Sequence, residues 1–381
     1  MTAGERVVLV HDWLTGMRGG EKCLEPLCRR WPAARLLTLL HRPGSVSPAI
    51  EATRVRPSLL NRLPRVERYY RYLLPVMPFA AGWRVADAEL VVSFSHCVAK
   101  SARPPAGVPH VCYCFTPMRY AWHMQESYFR ATGLVGTLKA RAVDLLLSRI
   151  RDWDRRTADR VTHFVAISRT VRDRIRDCYA READVIYPPV DTDFYTPAPQ
   201  RREDYYLVVS ALAPYKRFDL AVDACRRLGR RLVVIGSGQH AAKLRAAAGP
   251  GVEFLGWQPD EVIRDHLRRA RALLFPGEED FGIVPLEAQA CGCPVIGFGR
   301  GGLTETVHPL GAGAEPTGVF FAEQTADAVA EAVERFERDA DRFDPRAARR
   351  QALLYGKERF EAELFAYLDD VTGGRTVRRA A

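Results

Sequence analysis

No run of 18 or more apolar residues occurs in this chain of 381 residues, which argues against a membrane-crossing helix. The first apolar run, Val7-Val8-Leu9-Val10, is cut short by His11-Asp12 and is too brief for the core of a signal peptide. Zinc-knuckle spacing is also missing. The nine cysteines are odd in number and scattered, and the close pairs Cys112/Cys114 and Cys291/Cys293 lack the two-residue gap that such sites use. They read as buried thiols of a protein held in a reducing cytoplasm, with metal binding as the other option. The glycine turn after the first strand-like run matches neither Gly-x-Gly-x-x-Gly nor a P-loop, so a dinucleotide site or an ATPase is disfavoured. Low-complexity tracts and short-period repeats are absent. Acidic residues are the minority charge, 46 against 56 Lys+Arg, for a net charge of +10. A basic surface favours nucleic acid, anionic lipid or phosphorylated small molecules without choosing among them.

What is present is alternation. Strand-like runs at Val7–His11, Arg35–Leu40, Leu90–Phe94, His110–Phe115 and Phe164–Ile167 are followed by a second series. That series comprises Tyr206–Ser210, Leu232–Gly236, Val252–Leu255, Ala272–Phe275, Val295–Phe298 and Val319–Phe321. Helical spacing lies between them, as in Ala221, Ala224, Cys225 and Leu228. Such alternation predicts α/β architecture with parallel sheets covered by helices on both faces. The proline-rich stretch Tyr187–Pro199 falls between the two series and reads as an interdomain connection. It separates a domain over residues 1–190 from one over 195–354. The basic tail Thr376–Ala381 is expected to fray.

Ligands of open parallel sheets bind at the strands' carboxyl ends, so the loops that follow each strand carry the chemistry. In Phe275-Pro276-Gly277-Glu278-Glu279-Asp280-Phe281-Gly282-Ile283-Val284-Pro285-Leu286-Glu287 a strand gives way to a polar turn and then a helix. The amides of Phe281, Gly282 and Ile283 are donors at a helix start. Gly282 lets a ligand approach the backbone, and Glu279 and Glu287 are acceptors for sugar or ribose hydroxyls. Alternatively the two carboxylates simply complement the helix dipole. Lys216 and Arg217, after the strand at Tyr206, are cations at another helix start, which an anionic ligand explains better than the dipole does. Gly19-Gly20 permits a tight turn after the first strand. Gly299-Arg300-Gly301-Gly302-Leu303-Thr304-Glu305 repeats the pattern after Val295–Phe298.

Glu279-x7-Glu287 with Phe281-Gly282 between resembles the signature of glycosyltransferase family 4. The resemblance runs from Val8 to the helix around Lys357–Leu368. It implies a GT-B fold: two Rossmann-like domains whose parallel sheets face a central cleft, with a helix near 355–372 crossing back to the first. The N-terminal domain would bind the acceptor and the C-terminal one the nucleotide sugar. Glu279 would meet the transferred sugar, Glu287 the ribose, and Lys216 the diphosphate. Gly19 and Gly20 would approach the donor phosphate, and the Gly301-Gly302-x-x-Glu305 element would close the donor pocket. Ala211 stands where the family carries an arginine, and Phe115 where many relatives carry a histidine. Arg217 is a second source of charge, and His96 and Arg119 are further contacts for acceptor or phosphate. The family retains anomeric configuration and needs no metal or other cofactor, the nucleotide diphosphate-sugar being its co-substrate. The loops Arg18–Lys22, Thr116–Trp122 and Tyr187–Phe194 look most like bacterial mannosyltransferases of surface-polysaccharide assembly, which implies GDP-mannose as donor and a lipid-linked or glycan acceptor.

In Leu59–Ala81 the arginines 62, 65, 68 and 71 are mixed with aromatic and aliphatic side chains, while Pro64, Pro75 and Pro78 prevent one long helix. This segment is either a core element with a solvated basic face or a contact for an anionic membrane surface. The expected location is therefore cytoplasmic, at the inner face of the cell membrane. Basic residues are spread over both halves without a nucleic-acid module, so no nucleic-acid partner is expected. A UDP-sugar donor, a sugar-nucleotide epimerase on the same fold and an inactive scaffold remain as competing readings.

Overall fold

The computed structural model describes residues 4–122, 138–199, 201–313 and 315–373. The tail Thr376–Ala381 and the side chain of Arg71 lie outside the described residues. The chain divides into two compact units, 1–188 with 361–381 and 189–360. The helix Lys357–Val371 starts in the second unit and continues into the first.

In the first unit, seven parallel strands are described: β1 (Val7–Leu14), β2 (Arg35–His41), β3 (Arg54–Pro57), β4 (Leu90–Ser95), β5 (His110–Cys114), β6 (His163–Ala166) and β7 (Ala183–Val185). Their order is β3-β2-β1-β4-β5-β6-β7. In the second unit, β8 (Tyr206–Val209), β9 (Leu232–Ile235), β10 (Val252–Gly256), β11 (Ala272–Phe275), β12 (Val295–Phe298) and β13 (Gly318–Phe321) run in the order β10-β9-β8-β11-β12-β13. The central strands are buried along their length, as parallel strands covered on both faces must be, and this is why they read as continuous Val/Leu/Ile runs. This is the α/β architecture that the alternation predicts.

Two local features depart from the sequence expectations, and a third follows them. β1 runs on to Leu14 through His11-Asp12, because both polar side chains find backbone partners inside the fold. The edge strands β3 and β7 were not anticipated; they are short, polar and half-exposed, as unpaired edges tend to be. Leu59–Ala81 breaks into four short turns, Leu59–Arg62, Val66–Arg68, Tyr70–Leu73 and Met77–Ala80, consistent with its prolines.

Within the first unit, residues of the final helix return to the first helix, Gly19–Arg30. Arg29 meets Glu361 at 2.5 Å and Arg30 meets Asp369 at 2.8 Å, with the Arg30 guanidinium 4.4 Å from the Phe365 ring centroid. Leu364 and Leu368 are fully buried and supply the apolar driving force that exposed ion pairs do not. Deeper in the unit, Lys100 is 1% exposed, forms an ion pair with the Asp154 carboxylate at 2.6 Å, and donates to the Asp154 carbonyl at 2.7 Å and to Thr157 Oγ1 at 3.0 Å. Asp154 Oδ2 also accepts from Tyr179 (2.7 Å) and Trp122 (2.9 Å). A buried charge pair needs such extra bonds to offset its desolvation. All nine cysteines are free and buried, and burial pushes the thiols of Cys28 and Cys225 up to about 12.

His110, fully buried on β5, lies 2.9 Å from Ser93 Oγ and 3.1 Å from the Arg160 carbonyl. Burial lowers its pKa to about 4. The fold therefore holds it neutral, and the stability that depends on this is fully present above its unfolded value of about 6.5. It is lost as pH falls from there through about 4. Melting curves from pH 8 to 4 should show a steeper loss for the wild type than for His110→Gln, by roughly 3 kcal/mol over the interval. Parallel curves would contradict this.

Candidate active site

Loops after parallel strands gather where the strand order reverses. In the second unit that point lies between β8 and β11, and in the first between β1 and β4.

In the second unit the loop after β8 ends in a short turn, Pro214–Lys216, and the loop after β11 carries Glu279. The Lys216 ammonium forms an ion pair with the Glu279 carboxylate, with the two side chains only 13% and 14% exposed. Two residues far apart in sequence are thus joined across the switch point. The Glu279 loop is braced from both ends. Gln324 donates to the Pro276 carbonyl at 2.8 Å, and the Gly302 amide donates to the Glu279 carbonyl at 2.8 Å. Gly301 pairs with Glu279 as an isolated bridge. A Cβ on Gly302 would stand 2.5 Å from the Asp280 carbonyl oxygen, so only glycine lets these two loops approach.

Gly282 precedes the helix Ile283–Ala290 in the left-handed conformation, φ +88°. Its backbone requirement is met by glycine whether or not a ligand approaches. The amides of Ile283 and Val284 have no acceptor within the helix, by its geometry, and the N-terminal dipole favours an anion there. Phe281 is buried, its ring centroid 5.8 Å from that of Tyr355. Glu287, one turn inside the helix, is buried too. It lies close enough to Tyr195 for its charge, second to burial, to raise the phenol's pKa. Arg217 also adopts a left-handed conformation, φ 53°, and its guanidinium lies 3.3 Å from Asp219. Its charge is therefore balanced by the first turn of its own helix, Phe218–Leu228. Ala211 is exposed and leaves that side of the loop without a cation. The turn Leu303–Thr306 follows Gly302, and Tyr355 donates to the Glu305 carbonyl at 2.9 Å.

The first unit brings together a second set. Asp12, fully buried, accepts four backbone amides: His96 (2.7 Å) and Cys97 (2.9 Å) on Oδ2, Val98 and Ala99 (both 2.7 Å) on Oδ1. This carboxylate ties the loop after β4 to the end of β1. The His96 ring also stands over it, with Nδ1 3.1 Å from Asp12 Oδ2. Burial lowers the His96 pKa, against the opposing charge of Asp12, with smaller effects of His11, Glu21 and Arg119. Gly19 and Gly20 open the helix after β1, and Arg119 opens the turn Arg119–Trp122. Phe115 sets its ring 6.2 Å from His96 and 6.5 Å from His11. The amide cage of Asp12 was not anticipated from the sequence; its only signal there is a charged residue directly after a buried run.

Residues 191–352 match the model of the family described as glycosyl transferases group 1. The GDP-mannose-dependent alpha-(1-6)-phosphatidylinositol monomannoside mannosyltransferase of Mycobacterium tuberculosis is 30% identical over 219 residues, 49% of this chain and 56% of that one. A D-inositol 3-phosphate glycosyltransferase of Geodermatophilus obscurus is 35% identical over 158 residues, 34% and 35% of the two chains. The chain spans about half the length or less of these relatives. Among solved structures, Anabaena HepE in complex with UDP superposes with a TM-score of 0.70 at 14% identity, covering 96% of this chain and 100% of that one. Sucrose-phosphate synthase of Thermosynechococcus elongatus gives 0.71 at 16%, covering 97% and 100%. At such identities these two likenesses establish the fold alone, which is GT-B.

Proposed function

We propose, taking the group 1 glycosyl transferase domain of residues 191–352 as premise, that this protein is a family 4 hexosyltransferase. It moves mannose from GDP-mannose, with retention, to a lipid-linked or glycan acceptor of surface-polysaccharide or glycolipid synthesis. The observation that carries the reading is the Lys216–Glu279 ion pair at the switch point of the second sheet, beside the start of the Ile283–Ala290 helix. A cation and helix-start amides suit the diphosphate of a leaving group, and a carboxylate suits the hydroxyls of the sugar. Lys216 stabilises the charge that grows on the departing diphosphate, Glu279 orients the hexose, and Glu287 takes the ribose hydroxyls. Arg217 and the amides of Phe281, Gly282 and Ile283 complete the donor set. The second unit binds the nucleotide sugar and the first unit the acceptor, with His96 and Arg119 as its contacts.

A thermal-shift screen of GDP, UDP and ADP with their sugars tests the donor. GDP and GDP-mannose at 100 times their Kd should stabilise the protein by about 2.7 kcal/mol, well above the others. A preference for uridine nucleotides would replace mannose transfer from GDP by transfer from a UDP-sugar. No response to any of the three would reject the reading.

Access to a lipid-linked acceptor is assigned to the segment 59–80. Leu59 is 74% exposed and Tyr72 and Phe79 are each 85% exposed, beside the exposed Arg62, Arg65 and Arg68. No helix among the described residues is long and apolar enough to cross a membrane. Exposed apolar and basic side chains together suit the surface of an anionic bilayer, each arginine adding about 1 kcal/mol. Changing Arg62, Arg65 and Arg68 to glutamate should abolish sedimentation with phosphatidylglycerol vesicles. Unchanged sedimentation would remove the membrane from the proposal.

A further inference from the structure

In the second unit a cavity of about 260 Å³ opens at the ends of the strands opposite to the Lys216 and Glu279 loops. Its polar wall is formed by Arg202, Glu203 and Asp204, which lead into β8, and by Arg271, which leads into β11. Its apolar wall is Pro294, just ahead of β12, with Phe336 and Phe343, whose ring centroids are 5.0 Å apart. Lys216 and Glu279 follow the same strands that these residues precede. The four residues of β8 therefore hold the two places about 13 Å apart along the sheet.

The charges around the cavity do not all find opposite partners. Glu203 is paired with Arg269 at 2.8 Å, and Asp204 with Arg271 at 2.8 Å. Glu337, beside Phe336 in sequence, is paired with Arg230 at 2.8 Å, accepts from the Tyr206 hydroxyl at 2.8 Å and lies 3.4 Å from Arg271. Arg202 is half-buried and has no carboxylate partner among the described residues. It donates to the carbonyls of Ala270 at 2.7 Å, of Gly292, and of Leu267 at 3.5 Å, and it hydrogen-bonds the buried Cys293 thiol. These four acceptors fix the direction of the guanidinium without neutralising it, and they are fewer than its five N–H donors.

The lining narrows the ligand class. A cation partly withdrawn from water beside an apolar wall is stabilised by an anion that shares the site. A planar guanidinium matches a carboxylate best. The two phenylalanines and Pro294 suit an apolar body, and a volume just under the roughly 300–1,000 Å³ of common small-molecule sites has room for one ring.

We propose that this cavity binds a small organic carboxylate whose charged end meets Arg202 and whose apolar ring lies against Phe336 and Phe343. The inference stands on the cavity alone and does not use the nature of the reaction. Such a ligand binds together with a nucleotide, not in its place.

Benzoate is the probe, with benzamide as its neutral isostere and benzylamine as the cation, each titrated into the full-length protein by saturation-transfer NMR. Benzoate should bind at least about tenfold more tightly than either of the other two, as a charge-assisted bond allows. Arg202→Gln should bring benzoate down to the level of benzamide. Because Arg202 also braces three carbonyls, Ala340→Trp is the second variant. Ala340 lines the cavity and is exposed, so a larger side chain there narrows the mouth without loading the core, and should weaken benzoate as well. Saturating GDP should leave benzoate binding unchanged. No binding of benzoate to the wild type, equal binding of the three probes, or undiminished binding in either variant would overturn the site. Displacement of benzoate by GDP would place it in the nucleotide loops and overturn the site too.

Discussion

Lys216→Ala is expected to lower the turnover of sugar transfer by about 100-fold or more, in a protein that still folds. The reason is the timing of charge. A diphosphate carries more negative charge as it departs than while it is bonded to the sugar, so a cation held beside it stabilises the transition state more than the ground state. Lys216 is placed for this by a short turn after β8, and in the ligand-free protein its partner is the Glu279 carboxylate. The two side chains are only 13% and 14% exposed, so losing one partner also costs some stability, and turnover is compared at a temperature where wild type and variant are both folded. Glu279→Ala should slow turnover by a similar factor, through the loss of hexose alignment rather than of charge stabilisation. Steady-state kinetics with GDP-mannose separate the two effects: Lys216→Ala acts on kcat and kcat/KM together, as a contact made in the transition state does. Near-normal rates in either variant would reject these roles.

Asp12→Ala is expected to destabilise the first unit by at least about 4 kcal/mol, and to lower its melting temperature by about 10 °C or more. Four amides donate to this one carboxylate, and all four would be left without an acceptor in an apolar surround. Each buried orphan costs about 1–3 kcal/mol, reduced where water or a small shift reaches it. Asp12→Asn keeps one oxygen acceptor and should fall in between. Calorimetry reads the loss directly. A variant as stable as the wild type would mean that the loop after β4 finds other partners.

The two variants draw on different kinds of information. Lys216, Glu279 and Glu287 were legible in the sequence because the chemistry is local: a strand, a polar turn and a helix start in one short stretch define where each side chain sits. The central strands were legible for a similar reason, since burial on both faces demands continuous apolar runs. The strands at Arg54–Pro57 and Ala183–Val185 were not, because edge strands need no such run. The sequence gives ligand approach as a reason for Gly282, and the fold adds a second one that the sequence does not show, its left-handed φ of +88°. The sequence offers Arg217 as a second charge for the ligand but does not show that it also lies 3.3 Å from Asp219.

From the order of its residues alone, this protein's α/β class, its two series of strands and the loops that bear its candidate chemistry follow, because periodicity and turn chemistry act over a few residues. Folding in three dimensions decided the rest: that Lys216 meets Glu279, that Asp12 gathers four amides from a loop more than eighty positions away, and that Arg202 shares a cavity with Phe336 and Phe343. Those outcomes depend on which loops the strand order β3-β2-β1-β4 and β9-β8-β11 brings side by side, and no pattern confined to neighbouring residues encodes that distance.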